Sequence, residues 1–238
     1  MKSGILYLVA TPIGNLADIT FRAIETLREV DLIAAEDTRH AAILLRHYEI
    51  RKPVVSYYEE NEKRRSQELL DKLNAGQNIA LITDAGTPLL SDPGFQLVRK
   101  AIENGIRIVP IPGASSILTA LMASGLPTDR FTFEGFLPRK KGRMTRLNEL
   151  ANEPRTMVFF ESPHRVLETL QDFLEKFGDR PVVCAREMTK VYEEFRRERL
   201  SNLIKHFENH PAKGEFVIIV EGIKRKSKNH FGSQPQTH

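Results

Sequence analysis

Short apolar runs alternate with amphipathic helical patterns along the first half of the chain. Residues 5–10 have the unbroken apolar character of a buried strand, and in residues 18–30 apolar side chains recur at the spacing of one helix face. Four further pairs of a strand and a helix follow, at residues 32–47, 54–75, 79–104 and 106–123. Strands that alternate with helices of this length predict a mostly parallel, doubly wound sheet.

The pattern changes after residues 125–130 (GLPTDR), which are the best linker candidate. Later apolar runs predict strands at residues 131–136, 156–160, 182–186, 192–199 and 216–220, with helices at 163–177 and 200–207. We therefore predict two α/β domains, residues 1–124 with a mostly parallel sheet and residues 125–223 with a mixed sheet. The polar segment 224–238 is predicted to be a disordered tail.

The composition is typical of a globular protein, with 41% hydrophobic and 28% charged residues. No apolar run approaches the ~18 residues of a membrane span, and the apolar residues near the start are better explained as a strand than as a signal peptide. The single cysteine, Cys184, excludes an intrachain disulfide, and its place in a strand pattern predicts a buried, inert thiol. These features lead us to expect a cytoplasmic protein.

Three loops follow strands of the predicted first domain, at the sheet edge where α/β proteins bind ligands. The first, residues 11–15 (TPIGN), lacks the spaced glycines of a dinucleotide site and the lysine of a phosphate-binding P-loop. Pro12 and Gly14 predict a tight turn that brings the backbone close to a ligand. An ordinary turn between a strand and a helix explains this segment equally well.

The second loop, residues 83–94 (TDAGTPLLSDPG), is unusually rich in special residues and is the strongest candidate for a ligand-binding loop. Its first half follows a strand directly, and the expected ligand contacts are Asp84, Ala85, Gly86 and Thr87. Its second half has the signature of a helix start, with Asp92 as N-cap and Pro93 at the first helical position. We expect residues 91–94 to serve only that start.

The third loop, residues 110–116 (PIPGASS), ends in small residues that leave room for a ligand against the backbone. Ser115 and Ser116 stand where the next helix begins. Either serine could cap that helix or contact a ligand, and the sequence favours neither role over the other.

Positive charge is concentrated just after the predicted strand at residues 131–136. The whole chain has a net charge of +4 and a pI near 9.2, which permits an anionic partner without requiring one. Five cations fall within eight residues: Arg139, Lys140, Lys141, Arg143 and Arg146. We predict that they contact RNA, because phosphate backbones favour such clusters and the flanking glycine and proline indicate an exposed loop. A solvated charged face is the alternative here, and it is at least as good an explanation for the clusters at 63–65 and 196–199.

Seven segments, in this order along the chain, resemble those of one known family. They are TPIGN, AAEDTR (34–39), DAGTPLLSDPG, PGASS, EGFLPRKKG (134–142), ESPHR (161–165) and GEFVIIVEG. From about residue 5 to residue 222 the chain resembles the bacterial small-subunit ribosomal RNA methyltransferase I family. That family has the tetrapyrrole methylase fold, also termed class III of the S-adenosylmethionine methyltransferases, with two α/β domains and the cofactor in the cleft between them.

The resemblance implies transfer of a methyl group from S-adenosylmethionine to the ribose 2′-hydroxyl of a cytidine in the decoding region of 16S rRNA, by a homodimer. The substrate is either naked 16S rRNA or the 30S subunit. First-domain contacts to the cofactor are expected from Pro12, Gly14, Asp84, Ala85, Gly86, Thr87, Ser115 and Ser116. Second-domain contacts are expected from Phe136, Leu137, Phe160 and Gly214.

A ribose hydroxyl is a weak nucleophile, so a general base would assist the transfer. The candidates near the presumed cleft are Glu36, Asp37, Glu161, His164, Glu187 and Lys190. We select Asp37 and Glu161 as the predicted catalytic residues, with a structural ion pair as the alternative. No cluster of cysteine and histidine with metal-ligand spacing occurs, so we predict no catalytic metal.

Two other functions remain compatible with the sequence. A tetrapyrrole methyltransferase of the same fold would use the same cofactor loops, but it would not need the basic segment. A non-catalytic RNA-binding or ribosome-assembly factor would need the basic clusters, but it would not need the cofactor loops.

Overall fold

The computed structural model describes residues 3–223, so the predicted disordered tail at 224–238 lies outside the described residues. The first half contains five strands: β1 (Ile5–Val9), β2 (Leu32–Ala35), β3 (Val54–Ser56), β4 (Ile79–Ile82) and β5 (Arg107–Ile111). They form one sheet in the order β3-β2-β4-β1-β5, and all neighbouring strands are parallel. The predicted doubly wound parallel sheet is confirmed.

Five helices follow these strands in alternation: α1 (Phe21–Glu29), α2 (Thr38–His47), α3 (Glu62–Asn74), α4 (Phe95–Glu103) and α5 (Ser116–Ser124). Two apolar clusters, one on each side of the sheet, are built from the strands and from α1 to α4. The strands β2 and β4 are buried at every position, as expected for central strands that are covered on both faces.

The second half contains the strands β6 (Phe131–Phe136), β7 (Thr156–Glu161), β8 (Pro181–Arg186), β9 (Glu194–Arg199) and β10 (Phe216–Val220). Its helices are α6 (Arg143–Leu150), α7 (Val166–Phe177) and α8 (Leu200–Asn209). The sheet order is β6-β7-β10-β8-β9, in which only β6 and β7 are parallel neighbours. This confirms the predicted mixed sheet, and Cys184 in β8 is buried with a raised pKa, as predicted for an inert thiol.

The helix α5 packs on the second sheet, although it directly follows the last strand of the first. Its buried residues Ile117, Ala120 and Leu121 belong to the same apolar cluster as Val183 and Val217 of that sheet. In packing terms, the chain therefore passes to the second sheet at the start of α5. The division into domains at 124/125 stays a prediction.

The N-cap of α2 is Asp37. The predicted cap of α4 is wrong. The N-cap of α4 is Gly94, with a φ of 140°, instead of Asp92, and the helix begins at Phe95. No helix among residues 3–223 is long and apolar enough to cross a membrane.

Candidate active site

A cavity of about 400 Å³ opens at the carboxyl ends of the first sheet and is closed on its other side by the second sheet. The first half contributes Ile13, Glu36, Thr83, Asp84, Ala85, Gly86, Thr87, Leu90, Ser91, Asp92, Ser115, Ser116 and Ile117. The second half contributes Phe136, Phe160, Glu161, Ser162, Pro163, Met188, Glu215, Phe216 and Val217. The cavity therefore lies where α/β sheets bind ligands, beyond the carboxyl ends of parallel strands.

The three predicted loops are joined to one another beneath this cavity. Thr11 and Gly86 exchange two backbone hydrogen bonds, with N···O distances of 2.9 and 3.0 Å. The Thr11 hydroxyl also donates to the carbonyl of Thr83, and the Thr87 hydroxyl donates to the carbonyl of Ala114 at 3.2 Å. These contacts hold the first, second and third loops in one arrangement.

Gly86 stands at a position that requires glycine. Its φ is +83°, in the left-handed region, and a Cβ placed there would lie 3.2 Å from Cγ2 of Ile13. A side chain would therefore strain the backbone and press on the cavity wall.

Most of the predicted cofactor residues line the cavity, and four do not. Those that line it are Asp84, Ala85, Gly86, Thr87, Ser115, Ser116, Phe136 and Phe160. Ser115 also caps α5, because its side chain accepts the N–H of Leu118, so the two roles that the sequence left open are compatible.

The four predicted cofactor residues outside the cavity lining have other surroundings. Pro12 is buried, and Gly14 packs against the side chain of Lys190, while Ile13 between them faces the cavity. Leu137 lies in the core behind the second sheet, and the backbone of Gly214 packs against Glu187. The family resemblance had suggested these four, and the structure places their neighbours Ile13, Phe136 and Glu215 at the cavity instead.

Three carboxylates, those of Glu36, Asp84 and Asp92, line the cavity and form what we term its acidic end. Glu36 accepts the Thr83 hydroxyl at 2.7 Å. Asp84 accepts the N–H of Asp37 at 3.0 Å on one oxygen and contacts Nδ1 of His40 at 2.8 Å with the other. Hydrogen bonding to Asp84 raises the pKa of His40 above its ordinary value.

Asp92 was predicted to be a helix cap, and the structure corrects this. The N–H groups of Gly94 and Gln96 are accepted instead by the carboxylate of Glu62, at 2.9 and 3.2 Å. Asp92 is half-buried and lines the cavity. Its pKa is raised to about 6, first because burial disfavours the charged carboxylate and then because Glu36 and Asp84 lie nearby.

Asp37 has structural partners and does not line the cavity. It caps α2 and accepts three hydrogen bonds from the Arg39 guanidinium, with a shortest N···O distance of 2.6 Å. Hydrogen bonding to Arg39 holds the pKa of Asp37 well below its usual range. This geometry gives no support to the predicted catalytic role of Asp37 and fits the structural ion pair that was its alternative.

Glu161 lines the cavity, but both of its oxygens are engaged. It is 3% exposed, and its carboxylate accepts the Thr169 hydroxyl at 2.6 Å and the N–H of Ser162 at 2.8 Å. The Thr169 hydroxyl in turn accepts a hydrogen bond from Arg143 at 2.8 Å. Glu161 thus belongs to a buried polar network, and its predicted catalytic role stays a prediction.

The predicted RNA-binding cluster divides into two groups. Arg139, Lys140 and Lys141 are exposed and have no ion pair among the described residues. Arg143 is only 5% exposed and donates to Asp172 at 2.7 Å, so its place in the exposed cluster was wrong. Arg146 is exposed but pairs with Glu134 and Glu149. Within this cluster, the positive charge that has no ion pair among the described residues therefore lies at residues 139–141.

Most cations of the other two basic clusters contact acceptors within the chain. Arg64 and Arg65 both contact Glu68, while Arg196 contacts Glu194 at 2.7 Å. Arg197 donates to the carbonyl of Ala123. The charged-face explanation fits these clusters better than RNA contact does.

Sequence reasoning placed Glu187 and Lys190 near the cleft, but it missed Met188, which lies between them in the loop after β8 that closes one side of the cavity. Met188 faces the cavity from this loop, between Glu187 and Thr189, which both have positive φ values of 47° and 66°. Lys190 holds the loop through Glu187 and Glu215, with N···O distances of 3.1 and 3.0 Å. No glycine, proline or motif marks this strained turn in the sequence.

One group in the described residues has side chains of the type that bind metals. Atoms of Asp37, His40 and Asp84 lie within 4.8 Å of one another. Both Asp37 oxygens contact Arg39, so this carboxylate already has a cationic partner. The expected absence of a metal stays a prediction.

The chain matches the family described as Tetrapyrrole (Corrin/Porphyrin) Methylases over residues 5–204. It is 55% identical over 238 residues to ribosomal RNA small subunit methyltransferase I of Haemophilus influenzae, covering 98% of this chain and 84% of that protein. It belongs to the tetrapyrrole methylase family. Another similar family member is ribosomal RNA small subunit methyltransferase I of Thermotoga maritima, at 50% identity, covering 92% of this chain and 99% of that protein.

Solved structures agree with the fold. A diphthine synthase has a TM-score of 0.72 at 17% identity, covering 92% of this chain and 90% of that chain. Uroporphyrin-III C-methyl transferase from Thermus thermophilus, complexed with S-adenyl homocysteine, has a TM-score of 0.65 at 20% identity, covering 91% and 97%. The predicted fold class is confirmed, and the family is one of methyltransferases.

Proposed function

We propose that this methyltransferase transfers a methyl group from S-adenosylmethionine to the ribose 2′-hydroxyl of a cytidine in 16S rRNA. The observation that carries the proposal is the identity of 50 to 55% to proteins named ribosomal RNA small subunit methyltransferase I, over nearly the whole chain. The matched part of the chain includes the residues that line the cavity and the basic segment beside it.

The residues around the cavity fit S-adenosylmethionine. The volume of about 400 Å³ lies within the usual range for small-molecule sites. The acidic end favours a cationic ligand, and Gly86 allows the backbone to come close to it. Phe136, Phe160 and Met188 provide apolar walls for an adenine ring. When bound, the cofactor supplies a methyl group on a positively charged sulfonium.

The exposed cations at residues 139–141 support an RNA substrate. Phe136 lines the cavity and is 56% exposed, and Arg139 follows it by three residues. Phosphates held by these cations would therefore lie close to the cavity mouth. Either naked 16S rRNA or the assembled 30S subunit would supply such phosphates.

A homodimer is also part of the proposal. The face of α5 opposite to its buried side exposes Leu118 and Met122, one helical turn apart and 58% and 80% exposed. Exposed apolar side chains grouped in this way favour a contact between protein surfaces. Sedimentation equilibrium should give a dimer for the native chain and a monomer for Met122→Glu, whereas an unchanged mass would contradict this face. As a ribosomal RNA enzyme, the protein would work in the cytoplasm.

A methyl-transfer assay tests the function directly. The purified protein is incubated with S-adenosylmethionine carrying a radiolabelled methyl group and with 30S subunits, naked 16S rRNA or a porphyrin precursor. The expected label is in 16S rRNA and, after nuclease digestion, in 2′-O-methylcytidine. Label in the porphyrin precursor alone would indicate a tetrapyrrole methyltransferase. Absence of label, together with absence of cofactor binding by calorimetry, would indicate a non-catalytic RNA-binding factor.

A further inference from the structure

Asp92 differs from the other acidic residues around the cavity in its contacts. Glu36, Asp84 and Glu161 each accept at least one backbone N–H, and Glu215 contacts the ammonium of Lys190 at 3.0 Å. Among the described residues, Asp92 has neither a backbone N–H donor nor a cation. The hydroxyl of Thr83 is the neighbouring group that lowers the pKa of Asp92. A carboxylate with free oxygen lone pairs in a cavity is suited to accept a proton.

The backbone around Asp92 is held in an unusual conformation. Leu89 and Ser91 have φ values of 73° and 71°, which side-chain-bearing residues rarely adopt. Such strain is retained where the surrounding structure enforces it, and it clusters at functional sites. Capping of α4 does not explain it, since Glu62 accepts the N–H groups at that helix start. The strained turn instead sets Asp92 into the cavity wall.

We propose that Asp92 is the general base of the methyl transfer, an inference that rests on the function proposed above. In this step the ribose O–H bond breaks, and its proton passes to the Asp92 carboxylate. The oxygen forms a bond to the methyl carbon while the carbon–sulfur bond breaks, and the sulfur keeps that electron pair as a neutral thioether. Charge balances, because one cation and one carboxylate become two neutral groups.

Thr83 and Glu36 are the positioning residues for this base. The Thr83 hydroxyl donates to Glu36 at 2.7 Å and lies beside Asp92, whose pKa it lowers. The charges of Glu36 and Asp84 both oppose ionisation of Asp92, and Glu161 and Glu215 line the same cavity from the second half of the chain. No cation contacts Asp92 among the described residues to offset these charges.

Single-turnover rates across pH, with saturating cofactor and 30S subunits, test this role. The native rate should rise tenfold per pH unit at low pH, which we term the acid limb of the profile. It should level off above about pH 6, where Asp92 is ionised. Asp92→Asn should be slower at the plateau by about 100-fold or more, the usual contribution of a general base, and should lack the acid limb. Asp92→Glu keeps a carboxylate, so it should recover part of the rate together with the limb.

Two substitutions of neighbouring residues should move the acid limb in opposite directions. Thr83→Val removes the hydroxyl that lowers the pKa of Asp92, so the limb should move to higher pH. Glu36→Gln removes a nearby negative charge, so the limb should move to lower pH. If Thr83 and Glu36 had merely structural roles, their substitution would leave the acid limb at the same pH as in the native protein.

The outcomes separate this inference from the proposed function. If the native protein methylates rRNA while Asp92→Asn keeps its rate within about threefold, Asp92 is not the base. An acid limb that persists unchanged in Asp92→Asn, or that neither Thr83→Val nor Glu36→Gln moves, overturns the inference as well. Failure of the native protein itself to methylate rRNA would instead contradict the function. Asp71→Asn, an exposed carboxylate on α3, is the matched control that should change nothing.

Discussion

The carboxylate of Glu62 accepts the backbone N–H of Gly94 across 2.9 Å, which joins the start of α3 to the start of α4. The same oxygen accepts the N–H of Gln96 at 3.2 Å. A side chain from 32 residues earlier therefore does the capping that the sequence had assigned to Asp92. This relationship leaves Asp92 free to face the cavity.

Glu62→Ala should lower the free energy of unfolding by about 1 to 2 kcal/mol, because it removes the cap of α4. It should also slow methyl transfer, since the loop that carries Asp92 ends at this cap. Urea denaturation and the methyl-transfer assay measure the two effects. Glu60→Ala is the control, because Glu60 is an exposed carboxylate just before α3, the helix on which Glu62 lies. Equal stability of both variants would contradict a capping role for Glu62.

Gly86→Ala should weaken cofactor binding by about tenfold, equivalent to about 1.4 kcal/mol, because the added Cβ presses on Ile13 in the cavity wall. Gly105→Ala is the matched control, since Gly105 also has a positive φ of 68° but has no atom within 4 Å of the Cβ position. Calorimetry with S-adenosylmethionine should therefore find a changed Kd in the first variant alone. Similar affinities in both variants would show that the cofactor does not lie against Gly86.

Arg143→Ala should destabilise the fold by about 3 kcal/mol, because it leaves Asp172 without its ion-pair partner. Arg139→Ala, in the exposed part of the same segment, should change stability by less than about 0.5 kcal/mol. Chemical denaturation of both variants checks this difference. If Arg143→Ala unfolded like the native protein and bound RNA more weakly, the original assignment of Arg143 to the RNA-binding cluster would be restored.

Replacement of Arg139, Lys140 and Lys141 together by alanine should raise the KM for the RNA substrate without changing the Kd of the cofactor. The slope of log affinity against log salt concentration should fall by about 2 to 3, as expected for three lost phosphate contacts. The reason is that these cations have no ion pair within the described residues and follow Phe136 at the cavity.

The control for that variant removes the same charge elsewhere. Arg46, Arg51 and Lys52 lie near the end of α2 and before β3, at the amino ends of the parallel strands. They are therefore on the opposite edge of the sheet from the cavity. If alanine at these three positions weakened RNA binding as much as alanine at 139–141, the effect would be one of net charge and would not locate the RNA.

Local patterns were sufficient for the elements but not for the roles of individual residues. The strands at 32–35, 131–136 and 216–220 and the helix at 38–47 have the predicted bounds, because apolar periodicity and flanking polar residues are local properties. The sequence around Asp92 has a good N-cap signature, and only the tertiary contact from Glu62 makes that cap unnecessary. Similarly, burial of Arg143 depends on Asp172, which lies 29 residues away.

The candidate site shows the same limit. The three loops after β1, β4 and β5 were predictable, because carboxyl ends of parallel strands meet at one edge. The contributions of Met188 and Glu215 were not, since they depend on how the second sheet lies against the first. The apolar side of α5 gave no sign of which sheet it covers, because either sheet would bury it equally well.

Ribose-methylation mapping of 16S rRNA in cells that lack this protein tests the central claim most directly. The account predicts that one 2′-O-methylated cytidine disappears and that it returns when the native gene is restored, but not when the Asp92→Asn variant is supplied. An unchanged methylation pattern of 16S rRNA in the deletion strain would contradict the proposed function.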